Sequence, residues 1–223
     1  MEKQSPHYAQ NMQTPNLWIN EYEIYFDPIE SCYMESFSPI QKIEYLTLLE
    51  LAQIQPKSCL SRALDLKAQS PPSPLIDNLV CFLYVQTRKI NEAEQFIANN
   101  HQQYPDYFFA KINYADQLLR KKKHREIPNL FPSDELKDNC NQRTRYHVVE
   151  YRSFMALMSR YYLGIGNKAK AILFYEKAYQ ADPAHPSVMH LERTIHGPRL
   201  IRKCKEQIRR LLHLSIYSFK GSK

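Results

Sequence analysis

Glycine is scarce in this chain, with four in 223 residues against fourteen prolines. A sheet joined by many tight turns needs more of the residue that enters left-handed backbone freely, so this balance predicts helices punctuated by proline. Paired cysteines are also lacking. Cys32, Cys59, Cys81, Cys140 and Cys204 are odd in number, scattered and never in a CxxC pair, which indicates neither a disulfide framework nor a zinc site and fits a reducing, cytoplasmic setting. No apolar run approaches the roughly 20 residues that cross a bilayer, and Met1 to Pro15 is too polar to read as a signal peptide.

Catalytic signatures are missing too. There is no GxSxG, no HExxH and no GxxxxGK ending in Ser or Thr, and the pair Gly164 and Gly166 lacks the remaining glycines of a phosphate-binding loop. His185 and His190 are five apart and do not share a helix face, while His147 and Glu150 form an isolated i, i+3 pair. A metal site would need ligands converging from several helices. The expectation is a protein that is not an enzyme and holds no cofactor or metal.

What the chain does have is a core and an uneven charge. An apolar content of 43% with 12% aromatics suffices to bury an interior. The net charge is +7, and it resides at one end: from Leu191 to Lys223 nine Lys or Arg face two acids, leaving 21 basic and 21 acidic residues in the first 190 positions. A neutral body thus carries a basic tail.

The chain also matches itself. Tyr84, Ala93, Ile97 and Pro105 recur 78 residues later as Tyr162, Ala171, Tyr175 and Pro183, and Pro71 precedes Pro105 by 34. A period of 34 is the length of one helix-turn-helix unit in a stacked array. Met155, Met158, Ser159 and Tyr162 fall at i, i+3, i+4, i+7 on one face of a first helix ended by Gly164 and Gly166. Ala171, Tyr175 and Ala178 stripe a second helix that Asp182 and Pro183 terminate. Small residues at Ser159, Ala171 and Ala178 let the two helices approach, while Tyr162 and Tyr175 fill the space between units.

On these residues, and over the stretch from Arg160 to Pro183, the chain resembles a tetratricopeptide repeat, with Met155 where that family usually has tryptophan. Copies at earlier periods depart further. From Pro74 to Pro105, Val80, Cys81, Tyr84, Ala93 and Ile97 fit, but Asp77 occupies the large apolar position and Asn100 the second small one. From Phe108, Tyr114, Ala115, Leu118, Ile127 and Phe131 fit, Lys111 departs, and Pro128 requires a short or kinked second helix. From Ile43 to Pro71 the match is degenerate, with Glu50 where tyrosine is expected. About ten residues, Pro132 to Asn141, lengthen one spacing from 34 to 44, with Ser133 placed to cap a brief extra helix.

The resemblance implies an all-α, right-handed superhelical array of about four hairpins over residues 39–185. Residues 1–38 are expected to form an extension in which Trp18, Ile19, Tyr22, Tyr25 and Phe26 pack over the first hairpin, and residues 186–223 to form basic capping helices. Beyond Pro198, Ile201, Cys204, Ile208, Leu211 and Leu212 make an apolar stripe opposite basic residues.

In such an array the first helices line a concave groove. Asn78, Phe82, Gln86, Asn113, Asp116, Arg120 and Arg160 lie on the stripe beside the buried one, where amides would hold a peptide backbone and arginine a carboxylate. A solvated helix face would carry the same pattern. Some family members clamp a C-terminal carboxylate with lysine, asparagine and arginine on three successive first helices. Here Asn113 is kept, but Asn78, Leu79, Ser153 and Leu157 occupy the other positions, so the clamp is not supported.

Arg120, Lys121, Lys122, Lys123 and Arg125 form a basic turn, and Arg202, Lys203, Arg209 and Arg210 a basic helix. These residues would meet phosphates, lipid or an acidic partner, or be solvated, or cap the array. The resemblance implies an adaptor that binds another protein's extended peptide or helix in the groove. The alternative is a nucleic-acid-associated helical repeat using the turn and the tail.

Overall fold

The computed structural model describes residues 17–26 and 32–197. Nine α-helices stand among them: α1 Pro39–Leu51, α2 Pro56–Gln69, α3 Pro74–Gln86, α4 Ile90–Gln103, α5 Phe108–Arg120, α6 Ile127–Leu130, α7 Val148–Gly164, α8 Lys168–Ala181 and α9 Pro186–His196. Each helix packs on the next, α6 excepted, and the first helices α3, α5 and α7 also touch one another in series. That is an array of tetratricopeptide-like hairpins. Proline starts helices here as well as stopping them. Pro39, Pro56, Pro74 and Pro186 each occupy a first turn, where the missing N–H would have had no partner.

The expected interior face of the last hairpin is the observed one. Met155, Met158, Ser159, Ala171 and Ala178 are buried, and Ser159 Oγ donates to the Ala171 carbonyl at 2.6 Å, so a small polar residue links two closely approaching helices. Tyr162 stacks on Phe174 at 5.6 Å. In the second hairpin the departures from the repeat pattern are accommodated locally: Asp77 is buried on α3 and ion-pairs with Lys67 of α2. Helix α6 is a single turn with Pro128 in it, and a 3-10 turn, Lys137–Asn139, follows within the insertion.

Two things differ from the sequence reading. A small sheet accompanies the helices, with β1 Leu17–Ile19 antiparallel to β2 Tyr22–Tyr25, and β2 parallel to β3 Arg145–His147. The aromatic segment therefore packs over the fourth hairpin, not the first. The insertion and the strand that follows it supply the reason: Glu135 is a hydrogen-bond acceptor for Tyr22 at 2.8 Å, and β3 offers an edge for β2 to join. Tyr22 and Ile24 alternate inward along β2 and are fully buried, and the Tyr22 ring lies against Tyr146 and Tyr151. The insertion is fastened on its other side too, by Asp134, which takes hydrogen bonds from Tyr162 and, at 2.6 Å, from Lys170.

The buried side chains fall into two clusters. One spans α1 to α3 and reaches Tyr107 and Ala110 at the start of α5; the other joins the sheet, the rest of α5, α6, the insertion and α7 to α9, and Phe109 on α5 packs against both. A backbone feature marks the second, third and fourth hairpins. Arg88, Lys122 and Gly166 follow α3, α5 and α7, and all have positive φ, at 61°, 59° and 81°. In each turn the next N–H returns to a carbonyl one turn inside the helix: Lys89 to Tyr84, Lys123 to Leu118 and Asn167 to Tyr162, at 3.0, 2.9 and 2.8 Å. This left-handed closure satisfies carbonyls that a helix end leaves open.

Candidate functional site

Helices α1, α3, α5 and α7 line one side of the array, and between them lies an open groove of about 1350 Å³. Its volume exceeds the roughly 300–1,000 Å³ typical of small-molecule pockets. Asn78 and Phe82 on α3 line it, as do Asn113, Asp116 and Arg120 on α5. Gln86 does not; it is exposed at the last turn of α3. Arg160 is not part of the wall either, yet its guanidinium reaches back to the Asp116 carboxylate, which also receives Arg120 at 3.1 Å.

The polar pairs have specific consequences. Asn113 Nδ2 donates to Asn78 Oδ1 at 2.6 Å, joining adjacent first helices. That bond fixes both amide orientations and leaves the Asn78 amide hydrogens and the Asn113 carbonyl oxygen, one donor group and one acceptor, for a backbone laid across them. Two guanidinium groups sharing Asp116 carry a net positive charge, held at the groove's edge by the carboxylate between them. Of the residues considered for a carboxylate clamp, Ser153 faces the groove and Leu157 is fully buried.

The groove is chemically divided along its length. At the α1 end Leu46 and Leu49 are 49% and 44% exposed and stand near Phe82 and Tyr33. Toward α7 the lining includes Lys111, Arg143, Glu150 and Arg152. Arg143 pairs with Glu150 at 3.0 Å, and Arg152, buried, pairs with Asp182. Burial lowers the pKa of the Arg152 guanidinium, with Asp182 opposing the shift. Lys111 lies over the Phe131 ring at 5.1 Å and has no carboxylate partner among the described residues. Its signal was visible in the sequence as a lysine at a position where the repeat pattern expects an apolar residue. Arg143 gave none, because the stretch between the insertion and α7 carries no repeat register, and Glu150 showed only as an isolated partner of His147.

His147 and His185 prove to be helix caps. His147 Nδ1 accepts from Val149 N at 3.2 Å while Glu150 accepts from His147 N at 3.1 Å, a reciprocal box at the start of α7. His185, at the groove's far end, accepts from Ser187 N at 3.2 Å and so begins α9. Burial, and then the positive charge of Arg152, push the His185 pKa down, which keeps Nδ1 free to accept.

Beyond Arg120, which lines the groove, the basic turn lies away from it. Lys121 pairs with Glu94 at 2.7 Å and Lys123 with Glu126 at 3.0 Å; Lys122 and Arg125 are exposed without a carboxylate partner among the described residues. Arg202, Lys203, Arg209 and Arg210 lie outside the described residues. Among the described residues no helix is long and apolar enough to cross a membrane.

No family model and no curated protein matches the chain. Among solved structures, it is similar to MamA, residues 41 to the end, from Desulfovibrio magneticus RS-1, with a TM-score of 0.47 and 12% identity, covering 83% of this chain and 98% of that one. A MamA RS-1 ArsTM double mutant gives a TM-score of 0.46 and 14% identity, over 81% and 97% of the two chains.

Proposed function

We infer that this protein is an interaction scaffold that holds an extended peptide or a helix of another protein in its concave groove. The observation that carries the reading is the groove itself, which is open, larger than a typical small-molecule pocket and walled by the first helices of successive hairpins. A preformed groove spares the partner part of the ordering cost of binding. Phe82 would take an apolar side chain. The Asn78 and Asn113 amides would align the backbone, and Arg120 and Arg160 would receive a carboxylate near Asp116.

Nucleic-acid binding through the basic turn has less support, since Arg120, Lys121 and Lys123 are each engaged by an acid of the chain itself. The two readings separate by experiment. A partner recovered from native lysate by the full chain should be lost with Phe82→Ala or Asn113→Ala and retained when residues 198–223 are removed. Recovery of RNA or DNA alone, weakening steeply with salt and vanishing with that truncation, would defeat the groove reading.

A further inference from the structure

The two ends of the array are finished differently. At the far end α9 buries Val188, Leu191 and Ile195 and turns Ser187, His190, Arg193 and Thr194 to solvent, the polar outer face that a terminal unit requires. At the near end α1 buries Tyr45 and Leu48 and leaves its opposite side apolar. Ile40 is 80% exposed, Ile43 66% and Leu46 49%, with Leu49 beside them. The aromatic segment expected to cover this face is held at the fourth hairpin by β3 instead.

Charge placement on α1 indicates the occupant. Lys42 and Glu50 flank the apolar side four residues before and four after Leu46, and neither has an ion-pair partner among the described residues. A helix with this arrangement complements itself when a second copy runs antiparallel about a two-fold axis at Leu46. Lys42 then meets the partner subunit's Glu50, Ile43 meets the partner subunit's Leu49, and the two Leu46 side chains meet on the axis. The chain's own residues 198–223 fit less well: they carry eight Lys or Arg against one acid, and a face offering one charge of each sign holds no acidic excess for them. We propose that the free face of α1 is an isologous interface through which two copies of this chain associate.

Light scattering on the full chain during size exclusion, over a roughly hundredfold range of concentration, should give the mass of two chains, falling to one on dilution. Leu46→Glu should give one chain at every concentration and, because the residue is half-exposed, should melt with the parent at concentrations where the parent is itself a single chain. Lys42→Glu and Glu50→Lys should each raise the dissociation constant about tenfold, and the double exchange should restore it. A single chain throughout, or a dimer indifferent to Leu46→Glu, would overturn the proposal. Failure of the double exchange to restore association would overturn the antiparallel register.

Discussion

Arg88 and Lys122 stand 34 residues apart in the sequence and share one backbone conformation, left-handed at φ 61° and 59°, each at the residue that lets its hairpin turn. Gly166 takes the same place in the fourth hairpin at φ 81°. Only there does the chain use the residue suited to the geometry. A side chain at such a position costs about 1 kcal/mol relative to glycine.

Arg88→Gly and Lys122→Gly should therefore each stabilise the fold, by about 0.5–1 kcal/mol once the added freedom of the unfolded chain is deducted. Gly166→Ala should destabilise it by about 1 kcal/mol. Thermal melts followed by circular dichroism would measure all three. A loss of stability in both glycine variants would show that the arginine and lysine side chains matter more than the backbone they impose.

The Asp77 and Lys67 pair should be asymmetric. Asp77 is 3% exposed at its side chain and Lys67 36%, so removing the lysine strands a buried carboxylate, while removing the acid leaves an ammonium that reaches water. Lys67→Ala is expected to cost about 3 kcal/mol or more. Asp77→Leu, which restores the apolar residue of the repeat pattern, should cost far less. Chemical denaturation of the two variants checks the order.

Acid should loosen α9 and the groove end beside it. The His185 pKa is depressed by burial and by Arg152, so folding favours the neutral ring. Its contribution is full above the unfolded histidine's value and is lost as pH falls through the lower folded one. His101, stacked on Tyr114 and likewise depressed by burial and then by Lys111, acts in the same sense. His185→Asn keeps a capping acceptor that does not titrate. That variant should lose less stability than the parent between pH 7 and pH 5, followed by denaturant midpoint.

Groove substitutions should separate binding from folding. Phe82→Ala is expected to weaken a bound peptide by about 1–2 kcal/mol, roughly tenfold in affinity. Asn113→Ala should also lessen binding, through the freed Asn78 amide. Calorimetry with the recovered partner would report both. Equal affinity for parent and variants would place the contact elsewhere.

Much of the helical architecture was legible because it is periodic and local. Ser159, Ala171 and Ala178 could be assigned to a close crossing from their size and spacing, and Pro128 foretold that α6 would be short or kinked. The sheet was not legible. Its strands are three or four residues long, and β2 finds its partner across six intervening helices and the insertion, a non-local pairing that leaves little trace in pattern. The His147 box was hidden for another reason: its cap is an imidazole where Ser or Thr is the usual signal. In the groove, helical spacing located the wall formed by Asn78, Phe82, Asn113, Asp116 and Arg120. It did not reveal that Arg160 reaches back to Asp116, nor that Arg143 enters from the turn before β3, since tertiary packing sets both.

The parallel ladder between Glu23 and Arg145 has a consequence for how the chain is made. As residues leave the ribosome, the first hairpins can associate as soon as they emerge. The aromatic strand ahead of them has no edge to join until β3 and α7 follow. During that interval Tyr22 and Ile24 remain without their shelter, so translation speed and chaperone occupancy bear most heavily on that strand.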